Sequence, residues 1–458
     1  MQLKRRKGGR VTKALGLMTA TLFGAGGVHA QDVGSGVNDD TTSDLGYTRV
    51  DAAVLYYKED GGRVQATEPV VSVTFNATDG DILSLKLTSD TLTGATPNGA
   101  APWSEEQTFI TPVHTQGVQT TSTSASGRSV LVTIPGTNVA ARQYTAAANT
   151  LPLDYGFRDQ RYAIDMGYST LLDPDTRLSV GADFSTEHDY RSISFNTGLS
   201  KDFFNKNTTL SGAVNFEFDT SKPFFGTPEP LTVMSGEEKG GKSHKRVVSA
   251  VLGLTQVMSR NWLAQINYSI GTSNGYQTDP YRIISVVNRI TGEPVRYLYE
   301  GRPRSRLRQS IYFGNKVAFG PTVTDLSARY YHDSWGIDSL TGEVAERVPI
   351  TNALYVEPHV RYYTQTAADF FHDYLVYGDP LPDFASSDSR LGKFHATTIG
   401  AKIGLKINHT GELYLRADRY NQSGNSHPAS AIGGLAYQDL FTGVDATSVM
   451  VGYTFAFY

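Results

Sequence analysis

The chain has 458 residues, no cysteine, and 41 basic against 45 acidic side chains, a formal charge of −4. Without cysteine there is neither a disulfide framework nor a thiolate metal site, so size alone must supply stability. The acidic balance also argues against nucleic acid as a partner, which calls for a basic surface.

The first thirty residues read as a secretory signal. Lys4, Arg5, Arg6, Lys7, Arg10 and Lys13 make a charged start, 14–27 is a short apolar and small-residue stretch, and Val28-His29-Ala30 is a small-x-small cleavage pattern. Cleavage between Ala30 and Gln31 removes six of the 41 basic residues and no acid, leaving 35 basic against 45 acidic. No cysteine stands near that point to carry a lipid anchor. Residues 31–47 are then a short periplasmic N-terminal segment and 48–458 the folded body.

No later run approaches the roughly 18 apolar residues of a membrane-spanning helix. Instead the chain alternates with period two, the repeated signal of transmembrane strands. In 161–172, Tyr162, Ile164, Met166 and Tyr168 share one face and Arg161, Asp165 and Ser169 the other. In 177–187, Leu178, Val180, Ala182 and Phe184 oppose Arg177, Ser179, Asp183 and Glu187. Segments 262–271 and 397–407 split the same way, with Trp262, Ile266, Tyr268, Ile399 and Ile403 on their apolar faces. Polar faces of glycine, serine and full charges suit a wet lumen, and aromatics near strand ends suit interface girdles.

Short turn signals, at Asp79-Gly80, 173–176, 205–208, 259–261, 320–322 and 409–412, alternate with long connections at 94–157, 220–244, 274–303, 372–391 and 423–444. That is an antiparallel barrel with short periplasmic turns and long outer loops. With both ends in the periplasm the count comes to sixteen strands, fourteen being the alternative. Pro69 and Pro358 fall inside proposed strands and are expected at a bulge or near a strand end. The last strand places Tyr453, Phe455 and Phe457 on one face and ends at Tyr458, similar to the C-terminal signature read by barrel-assembly machinery.

Segments 79–100 (DGDILSLKLTSDTLTGATPNGA), 275–282 (GYQTDPYR), 330–339 (YYHDSWGIDS) and 361–370 (RYYTQTAADF) resemble a Gram-negative outer-membrane family of unknown function. The resemblance spans nearly the whole mature chain and implies a barrel. It also implies, through the gene surroundings of such families, a periplasmic redox or flavin-maturation partner. It supplies no catalytic residue.

Several motifs carry chemistry elsewhere. Residues 236–243 (GEEKGGKS) match the phosphate-loop pattern, but a proline-rich loop precedes them and a β-pattern follows, so a glycine-lysine loop is expected. Residues 271–275 (GTSNG) match the nucleophile elbow of serine hydrolases, without the helix that should follow. Three His-Asp pairs, at His188, His332 and His372, are candidate metal ligands near outer strand ends if they converge. The lumen stripes are most informative. Strand 354–371 alternates Tyr355, Glu357, His359, Arg361, Tyr363, Gln365 and Asp369; strand 304–319 carries Arg304, Arg306 and Arg308; strand 325–335 carries Arg329 and Asp333; strand 413–422 carries Arg416 and Asp418.

Arg or Lys facing lipid at mid-depth costs about 2–4 kcal/mol, so these residues should point inward. They then either line an aqueous path, with Arg306, Arg308, Arg329, Glu357, His359 and Arg361 tuning selectivity, or cross-brace an occluded interior. The reading is a porin-like, non-enzymatic barrel for small polar solutes, with no cofactor and with outer-membrane lipid and the assembly machinery as partners. The alternatives are an occluded barrel serving a periplasmic redox system, and a lipid-acting hydrolase using Ser273.

Overall fold

The computed structural model describes residues 47–77, 80–112, 129–133, 140–223, 225–234, 241–408 and 410–457. The signal segment with Ala30 and Gln31, residues 31–46, Asp79, His409, residues 236–240 of the phosphate-loop match and Tyr458 lie outside the described residues.

Twenty-two strands are described. β1 (Tyr47–Glu59), β2 (Gln65–Asn76) and β3 (Ile82–Pro97) open the chain. A first loop holds β4 (Gln107–Pro112), β5 (Ser129–Thr133) and β6 (Ala140–Ala146). Then come β7 (Leu153–Asp173), β8 (Thr176–Thr186), β9 (Tyr190–Phe203), β10 (Thr208–Ser221), β11 (Ser243–Ser259) and β12 (Trp262–Gly275). A second loop holds β13 (Ile283–Val287) and β14 (Pro294–Tyr299). The wall resumes with β15 (Ser305–Phe319), β16 (Thr322–Asp333), β17 (Asp338–Pro349) and β18 (Leu354–Gln365). Last are β19 (Leu375–Val376), β20 (Phe394–Lys406), β21 (Gly411–Gly424) and β22 (Val444–Phe457).

Sixteen of these close an antiparallel barrel in the order β1-β2-β3-β7-β8-β9-β10-β11-β12-β15-β16-β17-β18-β20-β21-β22. Closure pairs β1 with β22, setting Val50 opposite Phe455, so the wall has no free edge to template aggregation. The alternation sorts the faces as expected. Leu252, Ile399 and Tyr162 stand 62%, 59% and 52% exposed on the outer surface, which is tolerable only against lipid. The outward Tyr453, Phe455 and Phe457 stack in series, their ring centres 5.6 and 5.9 Å apart, beside the chain's closing strand pair.

The prolines correct the expectation. Neither lies at a bulge or a strand end. Pro69 sits inside β2 opposite Val54, and the β2–β3 pairing skips Glu68 and Pro69 without any change of register. Pro358 sits inside β18 opposite Ala401, and the β17–β18 pairing skips Glu357 and Pro358 in the same way. A missing N–H can be absorbed by a local gap in one ladder when both flanking strands stay in register. A second correction shortens strand 354–371, which ends at Gln365. Asp369, Phe370 and His372 therefore belong to a loop rather than to the wall. The strand drawn at 325–335 runs instead over Thr322–Asp333.

Both described ends share one rim, the turn end, with the short turns read from the sequence, whereas the short β8–β9 and β16–β17 links lie at the opposite rim. The long connections gather at the other, the loop end, and there they fold. β14, β13 and β19 form one small sheet and β4, β6 and β5 another. Every residue of β13, Ile-Ile-Ser-Val-Val, is buried, so both of its faces are covered. Loops rooted far apart on the ring meet there. Ile283 N donates to Asn98 O (2.9 Å), Ala101 N to Ser285 Oγ (2.9 Å), Tyr377 N to Val287 O (2.8 Å) and Gly434 N to Thr291 O (2.8 Å). The loop after β3 and the loop after β12 are rooted six strands apart. Their convergence builds a cap over the mouth. Gly99 allows the closest approach: at φ +98° its backbone lies so near Ile283 that a Cβ would stand 2.2 Å from that carbonyl oxygen.

Candidate functional site: the charged lumen and its cap

Three of the six lumen residues singled out above are tied into the wall. Arg306 Nε donates to Asp333 Oδ2 (2.8 Å), and the guanidinium lies 4.1 Å from the Trp335 ring centre. Asp333 also accepts from Tyr331 Oη (2.7 Å) and Trp335 N (2.9 Å), making this a rim brace rather than a free charge. Glu357 accepts from Arg347 Nε (2.7 Å), whose guanidinium lies 4.2 Å from the Tyr355 ring. His359 Nε2 is 3.0 Å from Asp418 Oδ1, and Asp418 also accepts from Arg416 Nε (2.9 Å).

The other three stay available. Arg308, Arg329 and Arg361 make no ion pair among the described residues, and Arg329, 5.8 Å from the Tyr312 ring, is exposed although it points into the barrel. Arg308 lies opposite Asp333, Arg329 opposite Tyr312, and Arg361 opposite Glu343.

The far wall is acidic. Arg161 pairs with Asp90, the Glu68 and Glu187 charges also act on it, Glu68 stands beside Asp90, and Asp159 stands beside Glu187. Next along the wall, Lys245 Nζ is 2.9 Å from Asp219, which Glu217 also contacts, and Glu217 in turn feels the Arg308 charge. In the ring β7 and β8 stand eight strands from β17 and β18, the largest separation a sixteen-strand barrel allows. Sequence reasoning had Glu187 on a polar face, but strand order alone sets it and its acidic neighbours against the arginines.

Water reaches these groups. The Lys86 and Asp165 side chains, paired at 3.8 Å, are 35% and 37% exposed, and those of Lys316 and Asp325, paired at 3.3 Å, are 39% and 44% exposed. Inward-facing ion pairs of that exposure require unfilled space beside them.

The cap has a charge cluster of its own, which sequence reasoning missed. Asp388, 1% exposed, lies 2.9 Å from Arg302, 2.7 Å from Arg390 and 3.4 Å from Arg282. Glu300, fully buried, accepts from Arg302 Nε at 2.6 Å. Burial works against the Asp388 carboxylate, but the Arg282, Arg390 and Arg302 charges hold it well below the usual carboxylate range. At Glu300 burial prevails over Arg302 and pushes the carboxyl up. These residues come from two loops and share no periodicity, so nothing in the sequence announces the cluster.

The remaining motifs do not assemble. His188 lies 3.7 Å from Asp189 in the turn after β8, His332 Nδ1 lies 2.9 Å from Asp338 on the outer face of the wall, and His372 Nδ1 lies 3.1 Å from the Phe370 carbonyl. Among the described residues no three His, Cys, Asp or Glu side chains group as metal ligands. Each pair belongs to a different loop or strand, and the condition that they converge is not met among the described residues. Ser273 is buried and its Oγ donates to Gln277 Oε1 (2.8 Å), an amide that cannot act as a base.

The fold and site together define a transmembrane β-barrel of the outer-membrane type, with a polar lumen and a folded loop cap. The chain belongs to the family described as Protein of unknown function (DUF3570), which it matches over residues 12–455. No curated protein matches it. Among solved structures it is similar to the outer membrane protein OpdK from Pseudomonas aeruginosa, with 10% identity, a TM-score of 0.39, and coverage of 90% of this chain and 99% of that one. It is also similar to the ferric enterobactin receptor PfeA, with 11% identity, a TM-score of 0.42, and coverage of 89% and 60%. For a variant of OccD1 (OprD) the figures are 9%, 0.40, 93% and 97%. The architecture stands on strand pairing, not on these likenesses.

Proposed function

We propose that the protein is a porin-like channel that passes small polar solutes across the outer membrane, with its loop end outside. The supporting observation is the set of half-exposed ion pairs and the exposed Arg329 inside a closed wall. Sixteen strands leave an aqueous lumen unless something fills it, and these charges retain water. Lipid on the outer face and the assembly machinery are its expected partners, and no enzymatic step is assigned. Purified, heat-modifiable protein should give stable conductance steps in planar bilayers. Silence from folded protein would overturn the channel reading.

The cap favours a second reading. A roof with fully buried β13 can keep the barrel shut, and an occluded barrel would work instead with a periplasmic redox or flavin-maturation partner. Crosslinking in the envelope would then recover that partner, and recovery of the assembly machinery alone would count against it.

A further inference from the structure

We infer that the lumen is polarised across its width and favours solutes carrying both an ammonium and a carboxylate group, as amino acids do. The inference deepens the channel reading and rests on it.

Two opposed walls carry the argument. On one, Asp90 pairs with Arg161, the Glu68 and Glu187 charges also act on it, and Asp159 stands beside Glu187, leaving an excess of negative charge near the loop end. On the other, Arg308, Arg329 and Arg361 have no carboxylate in ion-pair contact among the described residues. Asp333, Glu357 and Asp325 on that side are paired with Arg306, Arg347 and Lys316 respectively, and Glu343, directly across from Arg361 and outside ion-pair distance, still leaves that wall with a net positive balance.

The two groups share a depth. Arg308, Arg329 and Arg361 lie three or four residues below the outer ends of β15, β16 and β18, and Glu68 lies three residues from the end of β2. Glu187 directly follows β8. A solute passing this level meets opposite charge on opposite sides. A neutral molecule gains nothing there, and a single ion is drawn to one wall and repelled by the other. A dipolar molecule can align with both walls at once, and the low-dielectric wall around a wet lumen focuses the field so that this alignment is stronger than in open water. The tyrosines beside the arginines, Tyr312 and Tyr363, add hydroxyls to the positive side.

The test is swelling of liposomes reconstituted with the folded protein, comparing serine with erythritol, a neutral solute of similar size. Native protein should admit serine about threefold faster or more, the scale of two weak charge contacts. The double variants Asp159→Asn/Glu187→Gln and Arg329→Gln/Arg361→Gln should each bring the serine rate down to the erythritol rate measured in the same variant. Equal native rates, or a serine preference that survives both variants, would overturn the polarised lumen and spare the channel. No swelling with either solute would remove the channel itself.

Discussion

The wall and the cap solve opposite problems with the same kind of element. A wall strand faces lipid on one side and water on the other, so it must alternate, as Leu178 to Glu187 does. A cap strand such as β13 is covered on both sides, so it carries no alternation at all. The wall closes its backbone hydrogen bonds through its ring order, whereas the cap borrows partners from loops rooted across the mouth. The wall should therefore survive loss of the cap, and the comparison can be broken first at that point.

Val286→Asp tests it most severely. Val286 is 1% exposed, and an uncompensated carboxylate there costs several kcal/mol, roughly the whole stability of a small subdomain. Trypsin should then cut the 276–304 loop and single-channel conductance should rise, while heat-modifiability of the barrel is unchanged. Loss of the barrel as well would mean that wall and cap fold as one unit. Asp388→Ala acts in the same direction through charge, removing the acid shared by three guanidinium groups at a cost of about 3–5 kcal/mol.

The wall's own vulnerability lies on its outer face. Leu252 is 62% exposed near the middle of β11. Leu252→Arg should destabilise the membrane-inserted barrel by about 2–4 kcal/mol, seen as a lower midpoint of urea unfolding in lipid vesicles. An unchanged midpoint would mean that this surface does not meet lipid. A smaller loss, roughly 1–3 kcal/mol, is expected for Tyr355→Phe, because Tyr355 Oη donates to the buried Glu412 at 2.6 Å and no other described group takes its place.

The same contrast explains what could be read in advance. Period two revealed the sixteen-strand wall, the direction of its faces and the long-loop rim, because each wall strand meets two solvents. It could not reveal β13, whose apolar run sits between turn signals and resembles any short buried segment. Within the lumen, the inward direction of Arg306 was legible but its partner was not. Asp333 becomes its neighbour only once β15 and β16 are in register. The acidic wall was visible as polar alternation around Asp165 and Asp183, yet its position opposite Arg361 depends on ring order. The ion cluster of Glu300, Arg302 and Asp388 joins two loops of irregular sequence, and no local pattern encodes it.

The smallest effect sharpens the cap's side of the comparison by pH. Asp373 lies in the cap loop after β18, where burial pushes its carboxyl up to about 6, against the opposing charge of His372. Its folded form therefore holds a proton more tightly than its unfolded form does. Protons stabilise the cap as pH falls from neutrality through 6, and that gain levels off only below the ordinary carboxylate range. Asp388 behaves oppositely, since its depressed pKa gives stability that is present above the ordinary range and lost only in strong acid. Between pH 7 and 5 Asp373 should tighten the cap by about 1 kcal/mol, while Asp388 stays ionised throughout. Protease protection of the 366–393 loop should rise modestly over that interval in the native protein, and the rise should largely vanish in Asp373→Asn. A rise that persists in full in the variant would move the titration to another buried acid of the cap, Glu300 first. A fall in protection toward pH 5 would reverse the assigned sign.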